Sequence, residues 1–315
     1  MLEHFPFHNF NKKIAVSLEL WRSEQAHYQQ QTAIKKRNFR LILGFILFVI
    51  LGLGVLAILA RPNFVFFIAA VILIFSVLSF LLIKILQKRK LSQWQARNNR
   101  LFAPALKAAI FRAFFDELEP KSELPTVRKV LINSSLYSEN INLQTLDFQY
   151  EGFFNQEPLF VYAGSYSQNL SSQPTAFFNL SKTAKNDTTH FFSLKSQQLE
   201  PKNTAKNQEF GYFAELETQF NFYSVQRGAL AAFIEKNEMI LQRINNLQLN
   251  YLTVSVLKNK INCSFDTKLL NFWQEIEITK PLETSDLEHY YQNMSKLATL
   301  ISLLQNLEIS VLAAE

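Results

Sequence analysis

Residues 41–60 read LILGFILFVILGLGVLAILA, and residues 64–83 read FVFFIAAVILIFSVLSFLLI. Each run is twenty residues without a charge. At a rise of roughly 1.5 Å per helical residue, either run matches a hydrocarbon core of about 30 Å. Arg61-Pro62-Asn63 between them leaves room only for a tight reversal. The pattern therefore predicts two transmembrane helices, 41–60 and 64–86, paired as a helical hairpin. Working outward, the chain divides into an N-terminal cytoplasmic amphipathic helix at 1–40, the hairpin at 41–86, basic linker helices at 87–120 and a cytoplasmic α+β domain at 121–315. The expected fold class is an α+β membrane protein whose soluble part is a mixed α/β domain with a mainly antiparallel sheet.

Charge placement orients this arrangement. Lys35, Lys36, Arg37 and Arg40 precede the first run; Lys84, Lys88, Arg89, Lys90, Arg97 and Arg100 follow the second. Cations on short flanks favour the cytoplasmic side, so both termini are expected there, with Arg61 to Asn63 outside. The single Cys263 cannot form an internal disulfide, which agrees with a reducing compartment. A cleaved signal peptide fits poorly, because the apolar run begins forty residues in and a second follows.

An overall pI near 9.2 suggests nucleic acid, but the charge is uneven. Residues 1–112 hold sixteen Lys and Arg against three acids, a balance of +13, while residues 113–315 hold sixteen against twenty-three, a balance of −7. The basic excess sits beside the apolar runs, where it suits anionic lipid headgroups. The acidic remainder would repel a phosphate backbone, so nucleic-acid binding is not expected.

Residues 1–40 place Ile14, Leu18, Trp21 and Tyr28 on one helical face, interrupted by Gln25. Pro104 is expected to open a helix over 104–118 with the stripe Leu106, Ile110, Phe114 and Leu118. Beyond it, aromatic-rich runs of period near two predict strands at 127–137, 147–154, 159–166, 175–180 and 209–222. Residues 181–208 are mostly polar and read as a long loop or loose excursion, in which Phe191 and Phe192 either pin the centre or form one short strand. A helix is expected at 228–247, with Leu230, Phe233/Ile234, Ile240/Leu241, Ile244 and Leu247 on one face and Lys236 to Glu238 opposite. A hairpin follows, 251–257 and 260–266 around Lys258-Asn259. The last expected helix spans 285–307, with Ser285 and Glu288 at capping-box spacing and Leu287, Tyr291, Met294, Leu297, Ile301 and Leu304 as its stripe.

Chemistry-bearing motifs are sparse. The chain has seven glycines, of which Gly44, Gly52 and Gly54 lie in the first apolar run. The remaining four are widely separated, which excludes phosphate-cradling glycine loops. His4, His8, His27, His190 and His289 are scattered, and Pro6 breaks the helical pairing of the first two. Gly164-Ser165-Tyr166 lacks the spacing of a nucleophile elbow. Two carboxylate pairs, Glu215/Glu217 and Glu275/Glu277, would share a strand face at i, i+2, where a solvated sheet surface is the commoner outcome than a glycosidase pair. No catalytic, cofactor-binding or metal-binding residue is assigned, and no cofactor is expected. The readings in order are a non-enzymatic domain that binds a protein or lipid partner, an enzyme with a site near His190 or Glu215/Glu217, and an oligomeric transport or pore accessory.

Glu217-Thr218-Gln219-Phe220, followed by Phe222-Tyr223 and a helix containing Met239, resembles a strand of a bacterial family catalogued as domain of unknown function thirty-one thirty-seven. That family often has an Asp soon after the tyrosine, where this chain has Val225-Gln226-Arg227-Gly228. The resemblance implies a bacterial inner-membrane protein with a short helix, a two-span hairpin and a mixed α/β domain. Some members are thought to accompany LemA-like membrane proteins, which implies an envelope-associated protein partner. It implies no activity and no functional residue.

Overall fold

A computed structural model describes residues 6–59, scattered positions between 80 and 96, and 101–115, 117–120, 124–134, 136, 142–168, 171–182, 189–194, 212–215, 220–224, 226–257, 260–277 and 280–309. The chain divides into two units. The first comprises residues 1–13, 108–275 and 283–315; the second comprises 14–107 and 276–282.

Among the described residues the first unit is built on nine strands, β1 Leu118–Pro120, β2 Asn142–Phe154, β3 Glu157–Gln168, β4 Ser171–Ser181, β5 Thr189–Leu194, β6 Tyr212–Glu215, β7 Phe220–Ser224, β8 Leu252–Leu257 and β9 Lys260–Phe265. They form one sheet in the order β1-β2-β3-β4-β9-β8-β5-β7-β6, with each described pairing antiparallel. The β8–β9 hairpin pairs Leu257 with Lys260, which fixes the expected register, although Lys258-Asn259 lies outside the described residues. The β2–β3 hairpin turns through Asn155 and Gln156, both at positive φ (48° and 69°), the pattern of a type I′ turn. Gln305 grips this turn: its Nε2 donates to the carbonyls of Phe154 and Asn155, and Asn155 Nδ2 donates to its Oε1 at 2.9 Å. Gly152 is required where β2 meets β1, since a Cβ there would lie 2.1 Å from the Glu117 carbonyl oxygen.

Helices cover the sheet. Helix α4, Arg227–Asn245, buries Ala229, Leu230, Phe233, Asn237, Leu241 and Ile244. Helix α6, Thr284–Gln305, buries Leu287, Tyr290, Met294, Leu297, Ala298, Leu300, Ile301 and Leu304. Phe111 and Phe115 stack over β2, against Tyr150 at 4.5 Å and Phe154 at 5.4 Å. Phe10 packs against Phe114 and Tyr291, and Lys13 Nζ donates to the Ala113 carbonyl at 3.0 Å. Tyr291, placed in the expected stripe, thus serves an aromatic cluster beside it.

Several expectations change at this level. Residues 124–133 form a helix, α3 (Leu124–Asn133), where a strand was expected: Pro125 suits a first helical turn, and the β-branched residues that suggested a strand sit at helical spacing. The helix around Pro104, α2, already runs at 101 and ends at Arg112; Leu118 belongs to β1. The single strand expected at 209–222 is two antiparallel strands, β6 and β7. The capping box of α6 lies two residues earlier than expected, with the Glu283 N–H donating to Asp286 Oδ2 at 2.9 Å.

The largest correction concerns the second unit. Among the described residues, no helix is long and apolar enough to cross a membrane. The expected fold class built on a two-helix transmembrane hairpin, its inner-membrane localisation with two spans and two cytoplasmic termini, and the membrane character given to the chain are corrected accordingly. The first apolar run is not a separate element. It is the C-terminal part of a 53-residue helix, α1 (Phe7–Leu59), whose earlier turns carry charges from Lys12 to Arg40. The run 64–83 lies outside the described residues except for Phe80 and Leu81, and the Arg61-Pro62-Asn63 reversal lies wholly outside them. Within this unit Ile14, Leu18, Trp21 and Gln25 are buried in line along α1. Gln25, which interrupts the apolar stripe in sequence, donates Nε2 to the Lys280 carbonyl. Phe39 meets Phe80 with ring centroids 5.3 Å apart.

Candidate functional site

Strand alternation gives the sheet two chemically different faces. One is apolar: Val161, Phe178, Cys263, Val254, Phe192 and Phe222 follow one another across it by direct pairing. Phe233 of α4 packs there, 6.4 Å from Phe192 and stacked on His190 at 4.7 Å and 21°. The other face is polar yet buried. One row crosses it as Ser193, Thr253, Ser264, Phe177, Tyr162 and Gln149; the next runs Phe191, Ser255, Asn262, Asn179 and Phe160. All eleven are buried.

A directed chain of hydrogen bonds links the second row. Asn179 Nδ2 donates to Asn262 Oδ1 at 2.6 Å, Asn262 Nδ2 to Ser255 Oγ at 3.2 Å, and Ser255 Oγ to the Ser134 carbonyl at 2.5 Å. Successive donors polarise one another, and the chain ties β4, β9 and β8 to the end of α3. The first row is less complete. Ser264 Oγ donates to the Ala176 carbonyl at 3.4 Å, while Ser193 Oγ and Gln149 Oε1 meet no hydrogen-bond partner among the described residues. Apart from Phe160, Phe177 and Phe191, the members of the two rows are neutral amides and hydroxyls, which can hold a shape or bind water or a neutral group. They supply no acid, base or activated nucleophile.

The titratable groups singled out in the sequence do not converge. His190 lies in β5, not in a loop, and on the α4 side; burial pushes its pKa down to about 4, so it is neutral near pH 7. Cys263 shares that face, and burial pushes its thiol well up, away from the nucleophilic thiolate. Glu215 lies on edge strand β6, with Glu217 outside the described residues. Glu275 ends the short helix Phe272–Glu275, so it does not pair across a strand face. The neighbouring Tyr290 is held above the usual phenol range by burial first, then by Glu275 and Asp286. Among the described residues, no group of three or more His, Cys, Asp or Glu is placed to hold a metal ion.

The second unit offers a different kind of surface. Leu41, Leu43, Phe45, Leu47, Phe48, Leu51 and Val55 of α1 are all exposed, Phe48 to 75%. At about 100° per residue they spread around most of the helix rather than forming one stripe. Lys36, Arg37 and Arg40 are exposed just before them, beside the half-buried Lys35.

Sequence reading missed Asn237, Asn179, Asn262 and Ser255. The alternation Thr253, Ser255 and Asn262, Ser264 was visible, but alternation alone cannot tell a solvated polar face from a covered one.

Fold and sites together define an α+β protein with a nine-stranded antiparallel sheet, a neutral covered polar face and an apolar helical surface beside cations. No protein-family model matches the chain, and no curated protein matches it. Among solved structures, the crystal structure of the mycobacterial trehalose monomycolate transport factor A, TtfA, aligns with a TM-score of 0.35 and 9% identity, covering 62% of this chain and 93% of that one. A likeness of that size carries no argument about function.

Proposed function

We propose that this chain is a non-enzymatic binding protein whose partner is an anionic amphiphile, either an acidic lipid or a protein segment that pairs acidic and apolar residues. The observation that carries this reading is the set of exposed apolar side chains Leu41, Leu43, Phe45, Leu47, Phe48, Leu51 and Val55 of α1, directly after Lys35, Lys36, Arg37 and Arg40. Burying one exposed Leu or Phe side chain contributes about 1.5–3 kcal/mol, so several together supply ample driving force. The cations add attraction to a negative partner and set its orientation. The buried, uncharged state of His190 and Cys263 supports binding over catalysis. An envelope-associated protein is the partner the family resemblance implies.

The test has two arms. Full-length protein is mixed with vesicles of anionic or zwitterionic phospholipid and floated, and in parallel it is crosslinked in lysate. Phe45→Asp/Phe48→Asp is expected to lose at least tenfold in whichever arm is positive. Lys36→Gln/Arg37→Gln/Arg40→Gln is expected to weaken binding and flatten its salt dependence. Anionic-vesicle binding identifies a lipid, and a specific crosslinked band without it identifies a protein. Failure of both arms, or equal binding by the Asp variant, overturns the proposal.

A further inference from the structure

The segment after α6 is held by side chains rather than by a strand ladder. Asn237 of α4 is wholly buried, and its amide reads both main-chain groups of Glu308: Oδ1 accepts from the Glu308 N–H at 2.8 Å, and Nδ2 donates to the Glu308 carbonyl at 3.1 Å. The same Nδ2 donates to the Phe233 carbonyl at 2.8 Å, which fixes the amide's orientation. Lys182, at the end of β4, donates Nζ to the Leu307 carbonyl at 2.6 Å. Leu307 and Ile309 are buried while Glu308 between them is exposed. Main-chain hydrogen bonds with alternate side chains buried are how extended peptides are recognised.

We propose that this cradle is a docking site for an extended apolar–acidic–apolar peptide. The chain's own Leu307-Glu308-Ile309 occupies it in cis, and a partner protein carrying the same pattern displaces that segment. The Asn237 and Lys182 hydrogen bonds go to the segment's main chain, so a peptide with apolar residues at the two flanking positions meets the same two side chains; the Leu307 N–H is bonded instead to the Leu304 carbonyl. The acidic middle position follows from Lys182. Burial pulls its ammonium pKa down, while Glu157 and Glu308 push it back up, so an acid at this place favours the charged lysine that makes the contact. Asn237 is a binding residue with no other evident duty: an amide costs free energy on a helix face among Leu230, Phe233 and Leu241 unless its donors and acceptor are used.

The probe is a fluorescein-labelled peptide of residues 306–315, NLEISVLAAE, titrated into the full-length chain and read by anisotropy. Leu307→Asp, which evicts the resident segment, is expected to bind the probe at least tenfold more tightly than the unmodified chain. Adding Asn237→Ala to it is expected to remove at least tenfold of that affinity. A cooperatively folded Leu307→Asp variant that binds the probe no better than a scrambled peptide overturns the proposal. Should that variant not fold, hydrogen exchange on the unmodified chain decides. Excess unlabelled peptide is expected to speed exchange of the Glu308 amide at least tenfold while leaving the Val254 and Cys263 amides unchanged. No acceleration at Glu308 overturns it.

Discussion

His190 shows how one buried side chain sets a pH dependence. Its folded pKa of about 4 lies below the ordinary 6.5, because burial against Phe233 disfavours the imidazolium. Between those values the unfolded chain binds the extra proton and the folded chain does not, so stability rises with pH. The contribution is whole above about pH 6.5 and is lost as pH falls towards 4, a span worth about 3 kcal/mol. Urea titrations at pH 7 and pH 4.5 are expected to show this loss in the unmodified protein and a smaller one in His190→Phe. Equal losses in both would place the acid sensitivity elsewhere. The sequence showed that His190 was isolated from other ligands, but not that it was covered; residues 181–208 read as a polar loop with Phe191 and Phe192 at its centre or in one short strand, and the pairing of β5 between β7 and β8 together with Phe233 of α4 buries His190.

At the scale of elements, period was the informative signal, and it failed where tertiary packing or local exceptions competed with it. The α4 and α6 stripes and the β8–β9 register were legible because apolar residues recur there at 3.6 or 2. Helix α3 was misread as a strand because Val127, Val130 and Ile132 favour strands, whereas the segment is a helix, Leu124–Asn133, with Pro125 in its first turn. The α4 face was only partly legible: Asn237 looked like a solvent residue between Lys236 and Glu238, yet its amide is buried to hold Glu308. Helix α6 supplies a direct check on packing. Leu297 is fully buried, so Leu297→Asp puts an unpaired carboxylate into the core, a change of several kcal/mol that rivals the stability of a typical domain. Loss of a cooperative thermal transition in that variant is expected; an unchanged midpoint would mean α6 is not docked as described.

For the whole molecule, composition pointed to the wrong architecture. The apolar runs dominated the sequence and implied a hairpin of two spans. The first run instead continues a long helix that starts in polar residues, and no described helix qualifies as a span. What persists is the juxtaposition of Lys35 to Arg40 with exposed leucines and phenylalanines, and that juxtaposition is the centre of the functional account. The measurement that tests it most directly is site-specific photocrosslinking in cells, with a benzophenone side chain placed at Phe48 of α1 or at Met239 of α4. Both positions are about three-quarters exposed, so reach is matched while environment differs. The account predicts a discrete protein or lipid adduct from Phe48 and none of comparable yield from Met239. Equal or greater capture at Met239, or no adduct at Phe48, would contradict it.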